Sequence, residues 1–541
     1  MSLSMKIKLV ILAAYSGILI SLAVPNELSH MGNPLTGFLC ISPFLIAVSL
    51  SPSRGFSSIL GMVFAALSSL LTYYWLLFFR EFSVWTISGV TLGYIGYFAL
   101  FSPFLFTFSK INPAYRPFVL AAAWTVYEYF KSSGYLGFPW GLVAYPVGGI
   151  LPIIQIVDIT GVWGLSFLMA LVNSLIAEIF LQEGVMPITN MQISPSRSLL
   201  FRQFAVAGLL FLAVTVYGYT RLATPIPDTK SFSAVLVQQN IDTWLTGNEL
   251  EGLATAERLS REGVESLGEK PDLLVWSETS LRRPYREFKA FYLKYPEEDP
   301  FIPFLREMDT HMFTGSPYVI DRGRGSMMNA TILLDPDGEL VDFYGKQHPV
   351  PLAEHIPFWD VPLVKKFFTE IIGLYSSGWT LGKRYTIFSI PLKDGDTISF
   401  GTPICFEDAF PYICRRFVLN GADILINLTN DAWSKTVSAE TQHFVAARFR
   451  AVEMKRVLVR STNAGVTAVI GPYGEILAEL PLFTEAALAV EVPVYIEKEF
   501  TPYTVFGDYL PLIFMGILMA ILFYLAGMFH YPSISKRHFI P

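Results

Sequence analysis

Hydropathy along the chain is the feature that limits its folds most. Residues 1–222 are close to an unbroken series of apolar runs, residues 223–508 read as an ordinary globular sequence, and one more apolar run precedes a short basic tail. A helix that crosses a bilayer needs about 20 mostly apolar residues. Candidates lie near 8–24, 35–51, 57–79, 84–108, 117–131, 151–181, 199–222 and 509–529. The expectation is a polytopic α-helical membrane domain of eight transmembrane helices, seven within 1–222 and the eighth within 509–541. The first run has no small-residue cleavage site and more spans follow it, so it reads as a retained helix, not a signal peptide.

Charge in the connections gives an orientation. Lys6 and Lys8 precede the first run, Arg54 follows the second, Lys110 and Arg116 the fourth, Arg197 and Arg202 the sixth, Lys536 and Arg537 the eighth. The alternate connections hold few cations: none in 25–34, Arg80 beside Glu81, and Lys131. The positive-inside rule then expects both termini in the cytoplasm and residues 223–508 on the periplasmic or outer face. Within the apolar part, Glu128 and Lys131 sit three apart, just ahead of Gly137-Phe-Pro-Trp140. Ionisable residues at membrane depth are expensive and are often functional. The alternative is a local ion pair beside an interfacial aromatic belt. Asp158 reads in the same two ways, as a functional acid or as a cap on a helix break near Gly161 and Gly164.

The polar insert alternates strands and helices. Strands are expected at 233–237, 272–276, 330–334, 340–344, 397–404, 424–428, 457–462, 466–470 and 475–480, with helices over 249–267 and 438–455. Asp335-Pro-Asp-Gly338 is a hairpin turn. This pattern suggests a layered α/β or α+β domain. The net charge of −6 gives no sign of a nucleic-acid partner. Three cysteines, Cys40, Cys405 and Cys414, are too few for a disulfide framework and show no metal-ligand spacing. No nucleotide or acyl-CoA binding motif is visible, so no cofactor is expected.

Three polar residues fall at or just beyond strand ends: Glu278, Lys346 and Cys405. They suit complementary tasks. A carboxylate can take a thiol proton and return it to a leaving group. An ammonium can stabilise an oxyanion, as can a backbone amide such as that of Phe406. The thiol can form a thioester. Each has a plainer reading: a structural cap for Glu278, a solvated hairpin residue for Lys346, a small core residue for Cys405. His348 and His443 are expected to be structural. Glu407 and Asp408, directly after Cys405, should raise a thiol pKa; either Lys346 outweighs them or they point away.

The words around these residues are more specific. Val275-Trp-Ser-Glu-Thr279, Tyr344-Gly-Lys-Gln-His348, Ile404-Cys-Phe-Glu-Asp408 and Asn430-Asp-Ala-Trp433 occur in the order that marks the nitrilase superfamily. With seven apolar runs upstream and one downstream, the whole chain resembles the apolipoprotein N-acyltransferase family of that superfamily. Gly137-Phe-Pro-Trp140, Gln442-His-Phe444, Arg460-Ser-Thr-Asn-Ala-Gly465 and Val466-Thr-Ala-Val-Ile-Gly-Pro472 belong to the same resemblance. It implies an α/β nitrilase-like α-β-β-α sandwich and a Glu-Lys-Cys triad, with Glu278 as base, Lys346 as oxyanion stabiliser and Cys405 as nucleophile. Glu354 and Glu407 match supporting family acids. Phe406 stands where tyrosine is usual, so no role for that hydroxyl carries over.

The resemblance further implies a two-step, ping-pong acyl transfer in the bacterial inner membrane. A membrane phospholipid is the acyl donor, and the α-amino group of a diacylglyceryl-cysteine lipoprotein is the acceptor. A monomer is expected. Trp244, Phe358, Trp359, Trp433 and Trp140 are candidate lipid or substrate contacts. The apolar stretch from Ile356 to Leu374, interrupted by Lys365 and Lys366, reads as core packing or as an arm on the outer leaflet. Two rivals remain. A membrane-tethered amidase would need only one anchor. A transporter or receptor with a ligand-binding domain would not need the full Glu-Lys-Cys set.

Overall fold

The computed structural model describes residues 1–79, 83–182, 196–224, 229–243, 245, 247–495 and 499–530. They group into two compact units: Met1–Leu77 with Phe82–Arg221 and Phe506–Pro541, and Phe78–Glu81 with Leu222–Val505.

The first unit is helical. Among the described residues, six helices are long and apolar enough to cross a membrane: Leu3–Ala23, Arg54–Thr72, Ser83–Phe108, Val162–Leu181, Arg197–Ala223 and Tyr509–Gly527. Three of the eight expected spans come out differently. The run 35–51 is not one helix but two short ones, Pro34–Gly37 and Ser42–Ser49, with Pro43 in the first turn of the second. The break is held by buried Asn173. Its Oδ1 accepts from the amides of Ile41 and Ser42 at 2.9 and 3.1 Å, and its Nδ2 donates to the Gly37 carbonyl at 2.9 Å. Irregular backbone survives at such depth only when protein groups satisfy it in this way. The run 117–131 forms a 16-residue helix, Arg116–Lys131. The run 151–181 is also interrupted. Leu151–Ile154 and Val157–Thr160 precede Gly161, whose φ of +63° ends the turn before the long helix begins.

The polar residues of this unit brace such irregular stretches. Glu128 and Lys131 both reach the segment after their helix. Glu128 Oε1 accepts from the Val143 amide at 2.9 Å, and Lys131 Nζ donates to the Trp140 carbonyl at 2.8 Å. Asp158 accepts from the Tyr217 hydroxyl at 2.8 Å and lies 3.4 Å from Arg221.

The second unit is a sandwich of two six-stranded mixed sheets. Its strands are β1 (Thr229–Gln238), β2 (Leu273–Trp276), β3 (His311–Asp321), β4 (Ser326–Leu334), β5 (Leu340–Gly345), β6 (Phe388–Pro391), β7 (Thr397–Gly401), β8 (Ile424–Thr429), β9 (Leu458–Thr462), β10 (Ala468–Ile470), β11 (Ile476–Glu479) and β12 (Ala486–Tyr495). One sheet runs β12-β1-β2-β3-β4-β5, the other β11-β10-β9-β8-β7-β6. In each, a parallel trio (β1-β2-β3 and β7-β8-β9) sits among antiparallel neighbours. The sheets meet face to face through Phe313 of β3, whose ring lies 5.0 Å from those of Phe388 and Phe400.

Helices cover the outer faces. Glu249–Leu267 and Phe301–Met308 pack Leu253, Leu259, Phe301 and Phe304 onto Val235, Leu274 and Trp276. Pro411–Leu419 and Val437–Met454 cover the other sheet, with Cys414 buried in the first of them. Inside this packing, Glu257 is fully buried, and neither of its carboxylate oxygens has a hydrogen-bond partner among the described residues. Burial is the main cause that pushes its carboxyl up to about 9; Asp299 adds to the effect and Arg261 opposes it.

Candidate active site

Parallel strands place their carboxyl ends on one edge of a sheet, where loops are free to carry polar groups. β2 ends at Trp276, and the turn behind it presents Glu278. This turn is pressed against β3 at Gly315, whose amide donates to the Ser277 carbonyl at 3.3 Å. A Cβ at Gly315 would stand 2.6 Å from the Thr279 nitrogen and 2.8 Å from the Glu278 Cα, so only glycine lets the turn lie this close. The β4–β5 hairpin delivers Lys346 one residue beyond β5, with its amide donating to the Asn329 carbonyl at 2.9 Å.

β7 ends earlier than the sequence suggested, at Gly401, because only Ile404 keeps a bridge to β8. Cys405 then opens a short 3₁₀ turn, Cys405–Ala409, with φ of +49°. A non-glycine residue in this region costs of order 1–3 kcal/mol and is held there by its surroundings. The turn lifts the thiol out of the sheet, a placement that strained strand-to-helix elbows give to nucleophiles.

The four acidic, basic and thiol groups singled out from the sequence converge. Lys346 Nζ lies 2.8 Å from Glu354 Oε1 and 3.5 Å from Glu278 Oε1. Cys405 lies within electrostatic reach of both Glu278 and Lys346. Asn329 Nδ2 donates to Glu278 at 2.8 Å and to Glu354 at 3.1 Å, and the Asn430 amide donates to the other Glu278 oxygen at 3.0 Å. Both oxygens of Glu278 are thereby aimed. Glu354 is aimed in turn by the Val350 amide at 2.7 Å.

Electrostatics follow from this packing. Burial holds the Cys405 thiol well above its usual range; the Glu278 carboxylate adds to that, and Lys346 opposes it. Lys346 keeps its proton despite burial because Glu354 and Glu278 face it. Burial also raises the Glu278 carboxyl, with Lys346 opposing. The resting arrangement places a thiol beside the Glu278 carboxyl and the Lys346 ammonium. A thiol held this high becomes nucleophilic only as its proton passes to a base.

The two acids after Cys405 point away from it. Glu407 accepts from the amides of Ile404, Gln347 and His348 at 2.8, 2.7 and 2.9 Å, and from the Tyr344 hydroxyl at 3.0 Å. It ties the cysteine turn to the lysine segment. Asp408 bonds His443 at 2.8 Å and also Arg460. His348 is neutral, since burial and then Lys346 lower it to about 4, and it bonds the Tyr412 hydroxyl at 2.7 Å. Phe406 is buried with its ring stacked on His348.

The candidate contact residues scatter. Phe358 is 76% exposed and leads into a short helix, Pro362–Phe367, where Leu363 and, beyond it, Ile371 and Tyr375 are also exposed. Trp359 and Trp433 are half-buried, and Trp433 meets the ring of Phe79 edge-on at 5.1 Å. Trp140 is buried in the first unit, stacked on Phe138. Trp244 lies outside the described residues. Sequence reasoning missed Asn329, and it read Asn430 only as part of a motif. Nothing in a lone asparagine on a strand marks it; only the register of β4 against β5, which puts Asn329 beside Lys346, does so.

Residues 234–498 match the family model described as Carbon-nitrogen hydrolase, and residues 16–175 match that of the Apolipoprotein N-acyltransferase N-terminal domain. The chain is 39% identical over 504 residues to apolipoprotein N-acyltransferase 2 of Treponema denticola, covering 93% of this chain and 95% of that one. It is 31% identical over 491 residues to the apolipoprotein N-acyltransferase of Borreliella burgdorferi, covering 90% and 89%. Among solved structures, a carbon-nitrogen hydrolase from Helicobacter pylori aligns at 17% identity with a TM-score of 0.35, covering 49% of this chain and 89% of that one.

Proposed function

This chain belongs to the apolipoprotein N-acyltransferase family, and on that premise we propose that Cys405, Glu278 and Lys346 carry out its acyl transfer from phospholipid to lipoprotein through a thioester on Cys405. The observation that carries the assignment is the convergence of Cys405 and Lys346 on the Glu278 carboxylate, with Lys346 Nζ 3.5 Å from its Oε1.

In the first step Glu278 takes the thiol proton as sulfur attacks the ester carbonyl carbon of the phospholipid. Lys346 and the Phe406 amide face the oxyanion. The carbon–oxygen bond breaks, and Glu278 returns the proton to the leaving oxygen, giving a lysophospholipid and the acyl-enzyme. In the second step the free α-amino group of a diacylglyceryl-cysteine attacks the thioester. Glu278 accepts a proton from nitrogen, the carbon–sulfur bond breaks, and the proton passes to sulfur. Glu354 and Asn329 hold the base and the lysine in register throughout.

The same reading extends to the membrane. We propose eight crossings: the six long helices, the broken element over residues 34–49, and the 116–131 helix. The catalytic unit, residues 223–508, then stands on the periplasmic side with both termini in the cytoplasm. The exposed apolar side chains of Phe358, Leu363, Ile371 and Tyr375, with Lys365 and Lys366 among them, suit an arm that rests on lipid and admits an acyl chain.

The test is intact-mass measurement after exposure to phospholipid micelles. Wild type is expected to gain one acyl mass that hydroxylamine removes, and Cys405→Ser none. A wild type that stays unacylated refutes the assignment. Adding a diacylglyceryl peptide should move the acyl group to its amine; release only as free fatty acid points to a hydrolase instead. A reporter fused after Pro541 should be active only in the cytoplasm, and periplasmic activity overturns the topology.

A further inference from the structure

Behind the cysteine lies a buried ionic cluster that the proposed reaction does not use. His443, on the Val437–Met454 helix, is 3% exposed. Its Nδ1 lies 2.9 Å from Asp431 Oδ2 and its Nε2 lies 2.8 Å from Asp408 Oδ1. With a carboxylate on each side, both ring nitrogens must be donors, since a bare ring nitrogen would set a lone pair against an acidic oxygen. The ring is therefore an imidazolium. Its Nε2 also lies 3.3 Å from the backbone carbonyl of Cys405.

That carbonyl belongs to the residue with φ of +49°. Asn427 Nδ2 reaches the same oxygen at 3.3 Å and the Pro403 carbonyl at 2.8 Å. The strained turn is thus gripped at the nucleophile's own peptide group from two directions. We propose that His443 is a positioning residue: by donating from Nε2 to the Cys405 carbonyl and Asp408 while Asp431 holds Nδ1, it locks the left-handed turn that aims the thiol. The proposal rests on Cys405 being the nucleophile.

The groups that face the ring come from four elements. Asp431 follows β8, Asp408 lies in the turn after β7, Arg460 sits on β9, and Glu440 lies on the ring's own helix, where it accepts from Ser434 at 2.7 Å. Burial alone would lower the imidazole; Asp431 and then Asp408 outweigh burial and the opposing Arg460, raising it to about 9. The imidazolium form is therefore kept through neutral pH and lost as pH rises past about 9.

The test compares two reactions of one thiol. Single-turnover acylation from phospholipid micelles needs an aimed attack, whereas alkylation by iodoacetamide tolerates many approach angles. In His443→Gln, acylation should fall on the order of 10²-fold, the cost of a misplacement of about 1 Å, while alkylation stays within about threefold. Asp431→Asn gives a second, opposed reading. It removes a negative charge that raises the Cys405 thiol, so a purely electrostatic role predicts faster acylation. Positioning predicts slower acylation with an alkaline limb moved to lower pH. Unchanged acylation in His443→Gln, equal loss of acylation and alkylation, or faster acylation in Asp431→Asn each overturns the proposal. A wild type that is never acylated at Cys405 instead overturns the nucleophile assignment itself.

Discussion

Glu257→Gln should change how stability depends on pH, and the size of the change follows from burial. Glu257 has no hydrogen-bond partner among the described residues, and its carboxyl is raised from 4.5 to about 9. A group whose folded pKa exceeds its unfolded value binds more protons in the fold, so stability is full below about pH 4.5 and is lost as pH climbs towards 9. Between those limits the loss is about 1.4 kcal/mol per pH unit. From pH 6 to pH 8 wild type should lose ~3 kcal/mol that the glutamine variant, which cannot ionise, keeps. For a domain of this size that is roughly 5–10 °C in Tm. The assay is thermal unfolding of the full chain in detergent, followed by tryptophan fluorescence, with wild type and variant in parallel buffers. Other titrating groups are common to both and cancel in the difference. The curves should nearly coincide at pH 5 and diverge steadily above pH 6. A difference that is constant between pH 6 and pH 8 would show that Glu257 finds a partner or water and would refute the reasoning.

Gly315→Ala tests the aim of Glu278, the proposed base, without replacing it. The added methyl would meet the Thr279 nitrogen and the Glu278 Cα at under 3 Å, so the turn must move. Acylation should fall on the order of 10²-fold while the overall fold persists; normal kinetics would show that the turn is not so tightly seated. Asn173→Leu tests the broken helix. It strips partners from the Ile41 and Ser42 amides and the Gly37 carbonyl, and should cost about 2–4 kcal/mol in detergent unfolding. No loss would mean that the break satisfies itself.

The parts legible in the sequence are those with a local signature. The apolar run ending near Cys405, the Asp335–Gly338 turn and the amphipathic 249–267 helix announce themselves by period and turn chemistry. Glu278, Lys346 and Cys405 were readable because each follows a strand within a distinctive word. β3 and β12 were missed because their composition argues against strands. β3 contains Gly315 and Pro317, and β12 contains Pro493, which its place at the sheet edge tolerates. Hydropathy counts apolar residues and is blind to the backbone. It therefore ran one helix through 35–51, although Pro43 marked the start of a second. The aim of Glu407 and Asp408 was illegible for a different reason. Their partners lie far off along the chain, at Tyr344, His348, His443 and Arg460, and no spacing along the chain encodes that.

The brace formed by Glu407 bears on kinetics. On the proposed reaction, one acyl carbonyl must be presented to two very different partners in turn, a bulky glycerolipid leaving and a peptide amine arriving. The seat of that carbonyl lies between the Cys405 turn and Lys346, and Glu407 fastens both to one internal carboxylate through Ile404, Gln347 and His348. The seat cannot widen for one partner and narrow for the other. Adaptation to the changing cargo is left to groups beyond it, such as the exposed residues from Phe358 to Tyr375. Loosening the brace should then slow both half-reactions by a common factor, whereas changes in the outer segment should alter the ratio between them.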